Sequence, residues 1–348
     1  MPVAILTPSL LVACGGGGGG GGATATSSDD SSSIVGASGY NSALFSSDLI
    51  SESQVSCTLE NGATTTCYQL RFAANGAGSS EGNNTIGPFC PENIEVARKD
   101  AGLGIYDGPS NPGFQSLVDA VQNMDADGYD IVDDNGNVNT VGGGPGSSAC
   151  LEMPMDTGLE VTYLVPVTPQ VRSAPYQIST IESIGFGVTG VPYKGHPPGV
   201  TVAEAGVNGS GSGSIPALDH CGGHVDPAGY YHWHFVPQSM NTVLSADQYR
   251  YQQDNEISCS NAIIAYDQPS SFAGLAKDGF PIYGAYDAVD NVDTPPNELA
   301  VVDECNGHSH ATTEFSEGIY HYHALAGGAP NVPTCLRGSF VQRDFSIQ

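Results

Sequence analysis

Short stretches of alternating polar and apolar residues, separated by glycine-rich turns, dominate the chain from about residue 34 onward. Residues 68–72 alternate as a half-buried β-strand does, and residues 159–167 form an apolar run of strand length. The segment from Cys57 to Cys67 carries Asn61-Gly62 near its centre, a pair typical of a β-hairpin turn. The pattern predicts a mainly β protein with long loops and few helices.

Composition adds a strong charge to this picture. The chain has 348 residues, and its 46 glycines favour turns over long helices. Nine Lys and Arg residues stand against 37 Asp and Glu residues, which gives a formal net charge of −28. So acidic a surface repels nucleic acid and anionic lipid headgroups and attracts cations. We therefore expect metal ions as partners and no nucleic acid, while the sequence identifies no protein partner.

The N-terminal segment indicates export. Residues 11–14 read Leu-Val-Ala-Cys and resemble a bacterial lipoprotein cleavage box, which predicts a signal over residues 1–14 and lipidation of Cys14. No Lys or Arg precedes Cys14, so either the true start codon lies upstream or the match is accidental. Residues 15–33, with eight consecutive glycines, predict a flexible tether. We expect a lipoprotein of the periplasm, outer membrane or cell surface, held to the membrane only by its lipid, with secretion as the alternative.

The other cysteines are even in number, which in an exported protein predicts disulfide bonds. The eight candidates are Cys57, Cys67, Cys90, Cys150, Cys221, Cys259, Cys305 and Cys335. Spacing alone leaves their connectivity open. We predict that Cys57–Cys67 closes the hairpin and that Cys90–Cys150 closes the N-terminal region.

An acidic segment between residues 124 and 139 is a candidate calcium site. Ca²⁺ takes six to eight oxygen ligands, which an acidic loop bent by glycines can supply in part. The segment does not follow the EF-hand spacing, and a solvated acidic loop is an equal alternative. The candidate ligands are Asp125, Asp127, Asp130, Asp133, Asn135 and Asn137.

The imidazole chemistry is confined to the second half of the chain, because all nine histidines lie between His196 and His323. Residues 231–234 read Tyr-His-Trp-His, and residues 320–323 read Tyr-His-Tyr-His. An Asp-x-Cys-x-Gly-His box precedes each phrase, at residues 219–224 and 303–308. In a strand the two histidines of each phrase share one face and the aromatic residues share the other.

The two phrases belong to a longer internal repeat. Residues 185–195 align with residues 274–284 at an offset of 89, which also separates His234 from His323. Such self-similarity predicts a duplicated unit, over about residues 184–240 and 273–329, packed as a pseudo-two-fold β-sandwich or barrel-like domain. We divide the chain into an N-terminal β and loop-rich region, residues 34–155, and the duplicated domain, residues 156–345. The symmetry also predicts disulfides Cys221–Cys259 and Cys305–Cys335.

These motifs resemble the YHYH-domain family, whose name matches residues 320–323. The resemblance covers about residues 161–338 and includes the box at 218–224, the Asp-Gly-Phe-Pro-Ile-Tyr-Gly segment at 278–284, and the Cys-Asn-Gly-His and Cys-Leu-Arg-Gly segments at 305–308 and 335–338. Trp233 departs from the tyrosine of the family motif. Similar proteins are largely exported and have no agreed reaction, so the resemblance implies a domain and leaves its chemistry open.

The histidines form two candidate metal-ligand sets. Neutral imidazoles on a rigid strand bind divalent metals with little entropy to lose, and Cu²⁺ and Zn²⁺ suit such ligands. We expect Asp219 and Asp303 to orient the rings or to add carboxylate ligands, His310 and His220 to be further candidates, and His196 a weaker one. The two sets are His224, His232 and His234, and His308, His321 and His323.

Three functions are compatible with these features. The first is an exported copper- or zinc-binding protein, and the second is a metal-dependent hydrolase or oxidoreductase that uses the same histidines. The third is a disulfide-stabilised structural or adhesion module whose histidines only form hydrogen bonds. A serine hydrolase is disfavoured, because the Gly-x-Ser-x-Gly match at residues 209–213 lies in a Gly/Ser repeat. Whether the protein is an enzyme stays open at this level.

Overall fold

The computed structural model describes the greater part of the chain beyond residue 41. The described residues are 42–45, 48–74, 89–110, 113–141, 148–178, 182–195, 200–201, 213–244, 271–287, 301–326 and 330–348. The chain divides into two compact units, residues 1–33 and 34–348, and every described residue lies in the second. The predicted signal, Cys14 and the tether lie outside the described residues. Within the described residues, no helix has the length and apolar character needed to cross a bilayer.

The described residues form a mainly β protein, as the sequence predicts. Its strands are β1 (Leu49–Thr58), β2 (Thr64–Ala73), β3 (Leu103–Asp107), β4 (Gly113–Ser116), β5 (Cys150–Leu151), β6 (Glu160–Pro166), β7 (Val171–Gln177), β8 (Ser183–Gly187), β9 (Pro192–Lys194), β10 (Val200–Thr201), β11 (Ile215–Pro216), β12 (Gly223–Val225), β13 (Tyr231–Trp233), β14 (Phe272–Ala276), β15 (Pro281–Tyr283), β16 (Gly307–His310), β17 (Ile319–His323), β18 (Cys335–Gly338) and β19 (Phe345–Ile347). The α-helices are α1 (Leu117–Ala126) and α2 (Met240–Leu244), and short 3₁₀ helices span Ser42–Leu44, Arg98–Asp100 and Pro237–Ser239.

A four-stranded antiparallel sheet has the order β1-β2-β6-β19. Its first two strands form the predicted hairpin, and Gly62 at the turn has a φ of 87°, a conformation that favours glycine. Tyr68, Leu70 and Phe72 are buried, whereas Gln69 is exposed and Arg71 is partly exposed, as expected of the alternating pattern. The strand predicted over residues 159–167 is β6, which pairs with β2.

An eight-stranded sheet carries both histidine phrases and has the order β12-β13-β9-β8-β14-β15-β17-β16. From either end the pairings run antiparallel, parallel and antiparallel toward a central antiparallel pair, β8 with β14. The two histidine-bearing hairpins therefore lie at opposite ends of one sheet. The sequence of parallel and antiparallel pairings is the same from both edges of the sheet. A duplication of the chain stays a prediction. Among the described strands no sheet closes into a barrel.

Glycine allows the two central strands of this sheet to approach closely. A Cβ atom on Gly185 would lie 2.0 Å from the carbonyl oxygen of Leu275, and one on Gly274 would lie 2.1 Å from that of Phe186. A larger residue at either position would push β8 and β14 apart. These glycines stand 89 residues apart in the sequence.

Three small sheets and α1 complete the described architecture. The sheets have the orders β10-β3-β4, β11-β5 and β18-β7. The helix α1 buries Leu117, Val121 and Met124 in a core with Tyr106 and Ile131. These apolar residues fall on one helical face, so the helix forms by burial of that face although an acidic loop follows it directly.

Three of the predicted disulfides are confirmed: Cys57–Cys67, Cys90–Cys150 and Cys305–Cys335. The first joins β1 to β2, and the third joins the turn before β16 to β18. The predicted fourth bond, Cys221–Cys259, cannot be described because Cys259 lies outside the described residues.

Candidate metal centres

A tight turn fixes the first histidine hairpin. The Asp219 carboxylate accepts hydrogen bonds from the backbone N–H groups of Cys221 and Gly223, at 2.8 and 2.9 Å, and from the Tyr231 hydroxyl. Gly222 has a φ of 79° in this turn. The turn leads into β12, which carries the first ligand candidate of the hairpin, His224.

The first histidine group consists of His224 on β12, His232 on β13 and His234 just after β13. His224 lies opposite His232 in the strand register. The Nε2 atom of His234 is 3.1 Å from Nε2 of His224 and 3.1 Å from Nε2 of His232. His232 and His234 are buried, and His224 is partly exposed. The three rings therefore present their Nε2 atoms to one point.

The hydrogen bond made by Nδ1 of His234 indicates that the point between the three Nε2 atoms suits a cation. Nδ1 of His234 lies 2.6 Å from the carbonyl oxygen of Gly195, which can only accept, so Nδ1 carries the proton. Nε2 of His234 then has a single lone pair, which cannot accept hydrogen bonds from both neighbouring imidazoles. A metal ion among the three nitrogen atoms satisfies them together, and the carbonyl fixes the ring from outside, as is usual for metal-bound histidine.

The second hairpin repeats this construction. Asp303 accepts hydrogen bonds from the N–H groups of Cys305 and Gly307, at 2.8 and 3.1 Å, and from the Tyr320 hydroxyl. Asn306 takes the left-handed position of the turn, with a φ of 63°. Strands β16 and β17 follow, and the register again places two histidines opposite each other.

The second histidine group is larger and contains a carboxylate. Oδ1 of Asp287 lies 3.1 Å from Nε2 of His308, 3.1 Å from Nε2 of His310 and 3.4 Å from Nε2 of His323. Nε2 of His308 is 3.0 Å from that of His323 and 3.1 Å from that of His310. His321 completes the group, in which all ligand atoms lie within 4.8 Å of one another.

Backbone carbonyl groups again determine which ring nitrogen faces the centre. Nδ1 of His323 donates to the oxygen of Gly284 at 2.7 Å, and Nδ1 of His321 donates to that of Ile319 at 2.9 Å. His310 likewise donates from Nδ1 to the adjacent carbonyl group of residue 311. Nε2 of His321 is buried and has no hydrogen-bond partner. A ring nitrogen without a hydrogen-bond partner beside four other donor atoms is what a metal-ligand position requires.

The spacing of the donor atoms matches a metal polyhedron. Zinc–nitrogen bonds of about 2.0 Å arranged tetrahedrally place neighbouring ligand atoms about 3.3 Å apart. Five of the ten donor–donor distances in the second group run from 3.0 to 3.4 Å, and two of the three in the first group are 3.1 Å, while the others are at most 4.8 Å. Both groups could hold a metal ion, while the spacing does not identify which metal.

Burial keeps these imidazoles in the neutral form that binds metals. Burial lowers the pKa of His224 to about 4, against the opposing charge of Asp226, and it lowers the pKa of His323 to about 4. Burial together with the neighbouring His323 lowers the pKa of His321 to about 2. The pKa of His232 is held well below its usual value for the same reason. No proton therefore competes for these nitrogen atoms at neutral pH.

The two groups are separate centres. Five strand-to-strand steps lie between β13 and β17 in the sheet order. At about 4.8 Å per step, this separation is roughly 24 Å, too far for two metals to share a ligand or a substrate atom.

The two predicted ligand sets are each brought together, with some changes of membership. Asp219 and Asp303 hold the turns and are not among the ligand atoms of either group. His310 joins the second group, whereas Nε2 of His220 is 2.9 Å from the carbonyl oxygen of Ala101, outside both groups. His196 lies outside the described residues.

The sequence prediction missed Asp287. It follows Gly284 by three residues, and Gly284 is the residue whose carbonyl group orients His323. One signal could have identified it: it is an acidic residue just beyond the repeated segment 274–284. That segment contains β15, which pairs in parallel with β17 and so ends near the histidines.

The candidate calcium ligands do not assemble a cage. The Asp133 carboxylate accepts from the backbone N–H groups of Asn135 and Asn137, and Asp125 accepts from that of Val132. The Asp127 carboxylate accepts from the hydroxyl groups of Tyr106 and Ser110, and the side-chain amide of Asn137 donates to Asp133. In the fully described stretch 113–141 these carboxylates form no metal-binding group. The calcium site stays a prediction that the geometry does not favour.

The aromatic residues of the phrases belong to the core, as the strand pattern predicts. Tyr231, Trp233 and Tyr322 are fully buried, and Tyr320 is nearly so. The Tyr322 hydroxyl donates to Asp278 at 2.6 Å, on the opposite face of β17 from the imidazoles. These residues anchor the strands from which the histidines project.

Comparison with protein families confirms the resemblance over part of the chain. The model of the family described as YHYH protein matches residues 162–298. The match begins within β6 and includes the first histidine group and Asp287 of the second, but it ends before the four histidines of the second group, although the motifs predicted a match to about residue 338. The chain thus contains a YHYH domain. The comparisons with curated proteins and with solved structures find no significant match.

Proposed function

We propose that this protein is an exported metal-binding protein whose YHYH domain holds two separate divalent ions, zinc or copper, one in each histidine group. The proposal rests on one observation. The Nε2 atoms of each group converge, while Nδ1 of a histidine in each group donates a hydrogen bond to a backbone carbonyl. In the first group His234 donates to Gly195, and in the second His323 donates to Gly284. Rings held in this way direct unprotonated nitrogen atoms at a common point, which is costly unless a cation lies there.

Export and lipid anchoring are the second part of the proposal. The lipoprotein-like residues 11–14 and the glycine-rich segment after them support it, as do the three disulfides, because such bonds persist in oxidising compartments. The net charge of −28 favours accumulation of cations near such a surface. In this function the domain captures or buffers metal ions outside the cytoplasm.

Elemental analysis of the purified, untagged full-length protein tests metal binding. We expect up to two metal ions per chain, and one fewer in a His308→Ala/His321→Ala/His323→Ala variant, which keeps only Asp287 and His310 of the second group. His220→Ala is the matched control, because this partly buried histidine lies outside both groups. A chain that binds no metal after incubation with zinc or copper, and whose stability is the same in the variant, would refute the proposal and favour a structural or adhesion module.

Catalysis by a bound metal is a second candidate function. The observation that favours it is the number of donors in the first group, where the described residues supply three. Three histidine ligands are typical of catalytic zinc sites, in which water takes the fourth position. The five donors of the second group favour binding or structure instead. Hydrolysis or redox turnover that is lost in His224→Ala but kept in His310→Ala would support this candidate.

A further inference from the structure

We infer that the two centres differ in kind: the first keeps a coordination position for a small exogenous anion, whereas the second is filled by protein donors. This inference rests on the proposed metal binding. It assigns the anion-binding position to the metal at His224, His232 and His234. It also assigns Asp287 and His310 the role of filling the corresponding position in the second centre.

The first group supplies one face of a coordination polyhedron. Two of its nitrogen–nitrogen distances are 3.1 Å, and both involve the Nε2 atom of His234. These distances match edges of a triangular face of a tetrahedron, and no described residue supplies a donor at the fourth corner. In the second group Oδ1 of Asp287 lies within 3.1 to 3.4 Å of His308, His310 and His323, where it occupies that corner.

The strand register explains why the first hairpin lacks the additional histidine. Gly223 pairs with Trp233 as Gly307 pairs with Tyr322, so the counterpart of His310 is residue 226. That residue is Asp226, whose carboxylate accepts from the backbone N–H of Ala228 at 2.8 Å and from the Tyr230 hydroxyl at 3.2 Å. The carboxylate is thus occupied in its own turn and does not join the first group.

The first histidine group lies beside a small cleft. His224 is partly exposed and is one of the residues that line this cleft. The carboxylate in the cleft wall, Glu152, accepts from the N–H groups of Phe89 and Cys90, at 2.8 and 3.1 Å, so its oxygen atoms are held at the wall. The other lining residues are Leu151, Met153, Ala217 and Val225.

Charge favours an anion at the first centre. Three neutral imidazoles leave both positive charges of a divalent ion uncompensated, whereas Asp287 neutralises one of them in the second centre. Three charged groups lie around the first histidines: Asp226 acts on His224, the Lys194 ammonium acts on His232, and the Glu152 carboxylate lines the cleft. Together they carry one net negative charge, which the two positive charges of a divalent ion exceed, so the metal determines the sign of the site. Azide or a small carboxylate is the chemical class that such a position takes.

Cobalt(II) substitution of the full chain tests the inference, because the visible bands of cobalt report its ligands. The Asp287→Ala/His308→Ala/His310→Ala variant, which leaves only His321 and His323 of the second group, isolates the first centre, and His224→Ala isolates the second. We expect azide to change the cobalt bands saturably in the first variant and to leave those of His224→Ala unchanged. Circular dichroism verifies that both variants are folded.

The outcomes separate this inference from the proposal beneath it. Cobalt that binds neither centre refutes metal binding itself. Cobalt that binds the first centre without any response to azide refutes only the open position. An azide response that emerges only after His196→Ala is introduced also refutes it, because this histidine, one residue beyond Gly195, would then be the fourth ligand. Equal responses at both centres would contradict the proposed difference.

Discussion

Metal removal should lower the stability of the fold in two additive steps. A ligand that binds only the folded state stabilises it by about 2.7 kcal/mol when its free concentration is 100 times its dissociation constant. The two groups are roughly 24 Å apart by strand spacing, and contributions from sites so far apart add. Saturation of both centres should therefore contribute about 5.4 kcal/mol, and saturation of one about half of that.

Urea denaturation with and without a chelator measures this difference. Full-length protein in excess zinc should lose about 5.4 kcal/mol of unfolding free energy when the zinc is chelated, which is a fall of about 10 °C in melting temperature for a unit of this size. The Asp287→Ala/His308→Ala/His310→Ala variant, which keeps only two donors of the second group, should lose about half as much, and the control His220→Ala as much as wild type. A chelator effect of the same size in the two variants, or none in wild type, would refute the assignment of two independent centres.

Three further predictions concern the frame around the sites. Burial raises the pKa of the Asp344 carboxyl from its ordinary 3.8 to about 6, so the folded state loses stability as pH rises from about 4 to about 6. The Asp344→Asn variant should match wild type near pH 4 and exceed it by up to roughly 3 kcal/mol above pH 6 in urea titrations, and a pH-independent difference would contradict this. Replacing Tyr322 by Phe leaves Asp278 without its 2.6 Å hydrogen bond and should cost about 1–3 kcal/mol with unchanged metal content, so loss of metal would contradict its placement in the core. The double variant Cys57→Ser/Cys67→Ser should cost about 2–3 kcal/mol, since this bond closes a short loop, and a calorimetric scan that matches wild type would refute the estimate.

Local signals explain what the sequence predicts correctly. The Asn61-Gly62 pair specifies its turn through the φ that glycine accepts, and alternation along residues 68–72 specifies which face of β2 is buried. The two histidine sets follow from the period of a strand, because His232 and His234 share a face wherever that strand lies.

What the sequence does not predict depends on long-range placement. A carboxylate beside a glycine turn can bind a metal or accept the N–H groups of the turn, and only the folded geometry shows that Asp219 and Asp303 do the latter. Asp287 becomes a ligand candidate because β15 runs parallel to β17, a pairing that no local pattern specifies. The helix α1 was not predicted because its short apolar face runs directly into the acidic segment.

The position of the two hairpins has a consequence for how the protein behaves toward other copies of itself. In the described part of the eight-stranded sheet, β12 and β16 are the outermost strands, and each carries a ligand candidate that faces its inner neighbour. A metal bound at His224 or at His308 therefore links an edge strand to its neighbour in the sheet. Edge strands that are not held in place can pair with another chain. Metal depletion should thus promote self-association as well as loss of the ions.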